Sequence, residues 1–140
     1  MISDFGEDLM PRRATKKSAG YDVYSPVDMF AVPISEGGEV YRIDTGLRLQ
    51  DGDLKDDQVL FLMPRSSLGT KYMFRLAHTT GVIDADYRDT IKLAFVIENG
   101  TLEIKRGDRI AQFVILNYGT LPNEIPPVKD RNGGFGSTGA

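Results

Sequence analysis

Apolar residues along this chain come in short stretches separated by glycine, proline and acidic turns, and no long helical pattern emerges. Tyr21 to Tyr24, between Ala19-Gly20 and Ser25-Pro26, reads as the first strand. Val40 to Ile43 and Thr45 to Gln50 follow; in the second, Leu47 and Leu49 alternate with Arg48 and Gln50, the pattern of a half-buried strand. Gln58 to Met63 is apolar almost throughout, and Pro64 ends it because proline cannot donate to a ladder. Ser66 to Lys71 is expected to make one short helical turn. Ile91 to Ile97 is the next strand, and Asn99-Gly100 after it is a hairpin cue. Thr101 to Lys105 and Arg109 to Tyr118 add two more, separated by Arg106-Gly107-Asp108, which reads as a plain hairpin turn. Seven or more short strands at near-regular spacing predict an all-β jelly roll or distorted β-barrel.

The pattern stops at Leu121. Pro122, Pro126 and Pro127 stiffen an extended segment, and a glycine-rich run ends the chain. The expected organisation is one domain: a β-barrel core over residues 1–120, with 121–140 as a flexible C-terminal arm. Phe135, alone among glycines and hydroxyls, suits the stacking of a base beside bare backbone N–H groups.

A length of 140 residues suffices for one core. The formal charge of −3 leaves no basic excess to neutralise a nucleic-acid backbone, so direct nucleic-acid binding is not expected. With no cysteine and a single histidine, neither a disulfide scaffold nor a Cys- or His-based metal centre is available. No apolar run approaches a membrane span, and the acidic start lacks a signal-peptide pattern, so an intracellular, cytoplasmic protein is expected.

Chemistry concentrates in Gly81-Val82-Ile83-Asp84-Ala85-Asp86-Tyr87-Arg88, where two acids, an aromatic and a cation stand together. Strand alternation places Asp84 and Asp86 on one face; a turn would remove that argument. Pro64-Arg65-Ser66-Ser67-Leu68-Gly69 leaves the end of a strand with an arginine fork, hydroxyls and turn amides, a candidate phosphate cradle or a helix N-cap. Asp22 is an acid inside a strand-like run.

Five segments then fall into order: Ala19-Gly20-Tyr21-Asp22-Val23-Tyr24-Ser25, Pro64 to Leu68, Gly81 to Arg88, Arg106-Gly107-Asp108-Arg109-Ile110-Ala111-Gln112, and Gly133-Gly134-Phe135-Gly136-Ser137-Thr138-Gly139. Together they resemble the five motifs of the trimeric dUTPase family, across roughly residues 10 to 140. The resemblance implies a jelly-roll homotrimer that hydrolyses dUTP to dUMP and pyrophosphate with Mg²⁺. It implies active sites shared between subunits and a glycine-rich tail that closes over substrate.

On that resemblance Asp84 is the general base for the attacking water, ionised at neutral pH, and Asp22 organises the site behind it. Arg65, Ser66, Ser67 and Gln112 would hold the phosphate chain, while Mg²⁺ is carried by phosphates and waters with no direct protein ligand. Tyr87 would lie under the deoxyribose and exclude a 2′-hydroxyl. Backbone groups of the loop from His78 through Gly81, Val82 and Ile83 would read uracil; Phe135 and Gly136 would cover the base, and Arg131, Ser137 and Thr138 would close on the distal phosphates. His78 stands where many members carry asparagine, Asp89 where glycine is usual, and Arg131 one residue nearer the glycine pair. A related dCTP deaminase would need a glutamate in the third segment, which has none before Glu98. A nucleotide-gated regulator would use a protein partner, for which the long acidic turn 51–57 offers a surface.

Overall fold

The computed structural model describes residues 1–131. Its strands in chain order are β1 (Ile2–Ser3), β2 (Arg12–Arg13), β3 (Tyr21–Tyr24), β4 (Met29–Ala31), β5 (Tyr41–Asp44), β6 (Leu47–Arg48) and β7 (Gln58–Met63). After the helix α1 (Ser66–Tyr72) come β8 (Arg75–Leu76), β9 (Gly81–Ile83), β10 (Lys92–Val96), β11 (Leu102–Ile104) and β12 (Arg109–Asn117). Every named pairing is antiparallel. The largest sheet runs β2-β3-β12-β7-β9, a second runs β5-β10-β8, and β11-β4 and β1-β6 are two-stranded. This is the jelly-roll-like all-β fold that the spacing of apolar stretches predicts. No helix among the described residues is long and apolar enough to cross a membrane.

Tyr21–Tyr24 and Gln58–Met63 form where the pattern places them. Thr45 to Gln50 is paired only over Leu47–Arg48, yet Leu47 and Leu49 are both buried, as the alternation requires. The hairpin read from Asn99-Gly100 is corrected. Gly100 supplies a left-handed turn at φ 67°, but β10 pairs with β5 and β8 while β11 pairs with β4, so the turn carries the chain between sheets. Arg106-Gly107-Asp108 is likewise a tight turn, closed by the Asp108 N–H to the Lys105 carbonyl at 2.9 Å, and it too joins different sheets.

The core lies between the sheets. Leu60, Leu62, Ile83 and Phe113 turn inward from β7, β9 and β12, and Phe95 stacks on Phe74 at 4.5 Å between centroids. Each such side chain contributes about 1.5–3 kcal/mol on burial. The register fixes the opposite face: Val114, Phe61 and Val82 form one row across β12, β7 and β9, and Leu116 faces Val59. An antiparallel sheet with one solvated face normally alternates apolar with polar residues. Here both faces of β7 are apolar.

Candidate active site

The sheet register decides where the chemistry lies. Ile83 pairs with Leu60 and Asn117 pairs with Gln58, so the end of β9, the start of β7 and the end of β12 meet at one edge of the molecule. Asp84 leaves β9 at that edge. The next residues form a turn closed by the Tyr87 N–H to the Asp84 carbonyl at 3.1 Å, so the shared strand face expected for Asp84 and Asp86 does not exist. Something else joins the two acids. Arg131, carried back from the end of β12, donates to Asp84 Oδ2 at 2.5 Å and to Asp86 Oδ1 at 2.8 Å. A cavity of about 370 Å³ opens here, lined by Asp84, Asp86, Asp56, Tyr118, Lys129 and Arg131 among others.

Tyr87 turns inward at 4% exposure and joins the core cluster. Its hydroxyl donates to the Thr90 carbonyl at 2.7 Å. Burial raises its pKa above the ordinary tyrosine value, reinforced by Asp89 and Asp44. Asp89 itself is held below the usual carboxylate range by the Thr90 N–H, 2.7 Å away, and by Lys92. Between β8 and β9 the His78 loop is tightly wound: the Thr80 N–H donates to the His78 carbonyl at 2.9 Å across Thr79, whose φ is 73°. A β-branched residue at positive φ stores strain, which fixes the backbone groups of this loop. Gly81 then packs against Leu62, where a Cβ would come within 3.0 Å of the leucine Cβ.

The other candidate residues gather at the opposite end of β7. Gln112 on β12 pairs with Asp22 on β3 and with Met63 at the end of β7. Its side-chain amide donates to the Pro64 carbonyl at 3.2 Å, in space kept open by Gly20, where a Cβ would stand 2.6 Å from Gln112 Oε1. Asp22, 16% exposed, lies between two cations, 3.6 Å from Arg65 Nε and 3.7 Å from Arg109 Nη1. Arg65 holds the N-cap position of α1 without a side-chain cap bond, so Ser66 and Ser67 are the first helical residues and both are exposed. The adjoining cleft, about 350 Å³, is lined by Arg65, Ser67, Lys71, Asp108 and Arg109 among others.

Arg65, Ser66, Ser67, Gln112 and Asp22 therefore come together, and Asp84, Tyr87 and Arg131 come together. The two groups do not meet within one chain. From Asp84 to Arg65 the path covers roughly six residues of strand, about 20 Å. Phe135, Gly136, Ser137 and Thr138 lie outside the described residues. Arg109 and Lys71, which the sequence reading does not single out, line the cleft beside Arg65. Arg109 opens β12 opposite Tyr24, and its guanidinium reaches Asp22 at 3.7 Å, a contact that nothing local in the sequence signals. Among the described residues no group of three acidic or imidazole side chains is placed to hold a metal ion.

Fold and site define an all-β protein with an exposed carboxylate centre at one strand end and a cleft lined by two arginines and a lysine, alongside acids, at the other. The family model described as dUTPase matches residues 7–139, and the chain belongs to the dUTPase family. Deoxyuridine 5′-triphosphate nucleotidohydrolase from Dictyoglomus turgidum is 34% identical over 145 aligned positions, covering 99% of this chain and 97% of that protein. The enzyme of the same name from Desulfitobacterium hafniense is 38% identical, covering 93% and 87%. Among solved structures, a mutant dUTPase from phage phi11 of S. aureus, described as revealing coordination of a structural Mg(II) ion, superposes with a TM-score of 0.69. It is 25% identical, covering 90% of this chain and 94% of that one.

Proposed function

We propose that this protein is a dUTP diphosphatase that hydrolyses dUTP to dUMP and pyrophosphate by attack of water on the α-phosphorus. Such a reaction keeps uracil out of DNA and supplies dUMP for dTMP synthesis. The observation that carries the mechanism is the exposed Asp84 carboxylate at a rigid strand end, beside a buried aromatic and facing a cavity. Asp84 would take a proton from the attacking water, worth typically ~10²–10⁴-fold. Tyr87, fixed by its bond to Thr90, would underlie the deoxyribose and leave no space for a 2′-hydroxyl. The strained His78–Ile83 backbone would read the base, and Phe135 and Gly136 would cover it.

Arg65, Ser66, Ser67 and Gln112 would hold the phosphate chain, with Asp22 fixing the direction of Arg65. Mg²⁺ would neutralise phosphate charge when it enters with the nucleotide, the chain's own part being to hold those phosphates. Arg131, Ser137 and Thr138 would close on the distal phosphates. About 20 Å of strand between Asp84 and Arg65 is too long for one nucleotide to contact both in one chain. A homotrimer with shared sites resolves this, and the apolar outer row Val114, Phe61 and Val82 supports such an assembly, since it suits a buried interface better than water.

The test is pyrophosphate release from dUTP, UTP, dTTP and dCTP with Mg²⁺, for wild type and Asp84→Asn. Turnover of dUTP alone, lost in the variant while nucleotide binding persists, is the expected result. Comparable turnover of dTTP or dCTP would overturn the substrate assignment.

A further inference from the structure

Arg131 forms part of the wall of the Asp84 cavity. One planar guanidinium makes two contacts to two different carboxylates, Nη2 to Asp84 and Nε to Asp86, and its carbon lies 5.7 Å from the centroid of the Tyr87 ring. The side chain is 10% exposed, whereas Ile125 and Val128 of the same arm are 94% and 98% exposed. Burial in this arm is thus focused on one cation. An ordinary surface ion pair joins two flexible partners in open water. Here a rigid fork engages two acids of one tight turn and an aromatic face at once, a geometry that lysine could not reproduce.

We propose that Arg131 is a substrate-displaced latch on the nucleotide site: in the free protein it holds Asp84 and Asp86 and covers Tyr87, and the sugar-bearing nucleotide must expel it. The proposal rests on the reading of Asp84 and Tyr87 given above. An Asp84 oxygen accepting from the guanidinium is not available to accept from water, and a ring face under the guanidinium is not available to a deoxyribose. Binding therefore competes with latch closure, and the apparent affinity is lowered by the fraction of molecules open. Asp86 holds the latch without being assigned any contact to substrate, so it offers a way to open the site and leave the base intact.

The experiment is calorimetric binding of dUMP, which lacks the distal phosphates assigned above to Arg131, to wild type, Asp86→Asn, Arg131→Gln and Arg131→Lys. Asp86→Asn and Arg131→Gln should bind dUMP more tightly, by about tenfold for a latch closed nine-tenths of the time, with Arg131→Lys intermediate. For Asp86→Asn, KM for dUTP should fall while kcat stays unchanged. Unchanged or weaker dUMP binding in both Asp86→Asn and Arg131→Gln overturns the latch, and Arg131→Lys decides the matter where the glutamine variant disturbs the fold. Wild-type hydrolysis by Asp84→Asn would instead remove the base assignment, a distinct outcome that leaves the dUMP binding comparison to be read on its own terms.

Discussion

The two ends of β7 carry opposite chemistry on one strand. Beyond Met63 stand Arg65, Lys71 and Arg109, with Asp22 between the two arginines and Glu103 and Asp108 on the cleft wall. Beside Gln58 and Val59 stand Asp56, Asp84 and Asp86, the last two engaged by Arg131 from the arm. The cationic end is preorganised by the strand register, because Asp22, Gln112 and Met63 are direct ladder neighbours. The acidic end is a turn braced by a side chain from distant sequence. Phosphate binding needs fixed positive charge, and water activation needs a carboxylate that solvent and substrate can reach. On the proposed roles one strand would supply both, about 20 Å apart, a separation that the proposed homotrimer would bridge between chains.

Asp84→Asn breaks the acidic end most sharply. The amide cannot take a proton at neutral pH, so hydrolysis of dUTP should fall by ~10²–10⁴-fold while a nucleotide titration still reports binding. Full activity in this variant would dissociate Asp84 from the reaction. Leu116→Asp tests the proposed homotrimer instead. Leu116 is 42% exposed on the outer face of β12, where a carboxylate costs the free chain little but would be buried unpaired between copies. Sedimentation should find monomers, and activity should fall with them; a variant that stays assembled and active would place the interface elsewhere.

Arg65→Lys keeps the charge but loses the planar fork. A hydrogen bond to a charged partner contributes about 1.5–3 kcal/mol, so KM for dUTP should rise by tenfold or more with kcat less affected. The two ends can also be compared directly by mixing. Arg65→Ala and Asp84→Asn proteins, each inactive, should regain about a quarter of wild-type activity when unfolded and reassembled together, if the two residues in each site come from different chains. Mixtures that stay inactive would mean that both residues serve from the same chain.

The cationic end was the more legible in sequence. Pro64 marks the strand end and Arg65 follows it, so cradle chemistry could be read from adjacent residues. The acidic end was only partly legible. Asp84, Asp86 and Tyr87 are contiguous, but whether they form strand or turn depends on where β9 stops pairing with β7, which is a tertiary fact. Arg131 on Asp84 and Asp86 joins residues 47 and 45 positions apart, and nothing local encodes it. The strands β1, β2, β4 and β8 have two or three residues each, too few for a period of two to register, and exist because a longer or better-placed partner offers them a ladder. The Asn99-Gly100 turn misled for a related reason: turn chemistry reports a change of direction, and only the sheet assignment says which strand comes next.

The smallest expected effect separates packing from chemistry at Tyr87, which belongs to the acidic end by position and to the core by burial. Tyr87→Phe keeps the ring and removes the bond to the Thr90 carbonyl, which still accepts from Lys92 at 3.2 Å. Stability should fall by about 1 kcal/mol at neutral pH, read by denaturant unfolding, with dUTP preferred over UTP as in wild type. The pH dependence gives a second readout. The folded hydroxyl has its pKa raised by burial, so the folded state keeps this proton where the unfolded chain has begun to lose it. The stability it contributes is complete below the ordinary tyrosine value near 10 and is lost as pH rises from there through the raised folded value. Tyr87→Phe should therefore flatten the alkaline limb of the stability profile while leaving the acid limb unchanged. An alkaline limb identical to wild type would mean that the hydroxyl is not held neutral by its burial, and the Thr90 bond would then not be what fixes the ring beneath the sugar.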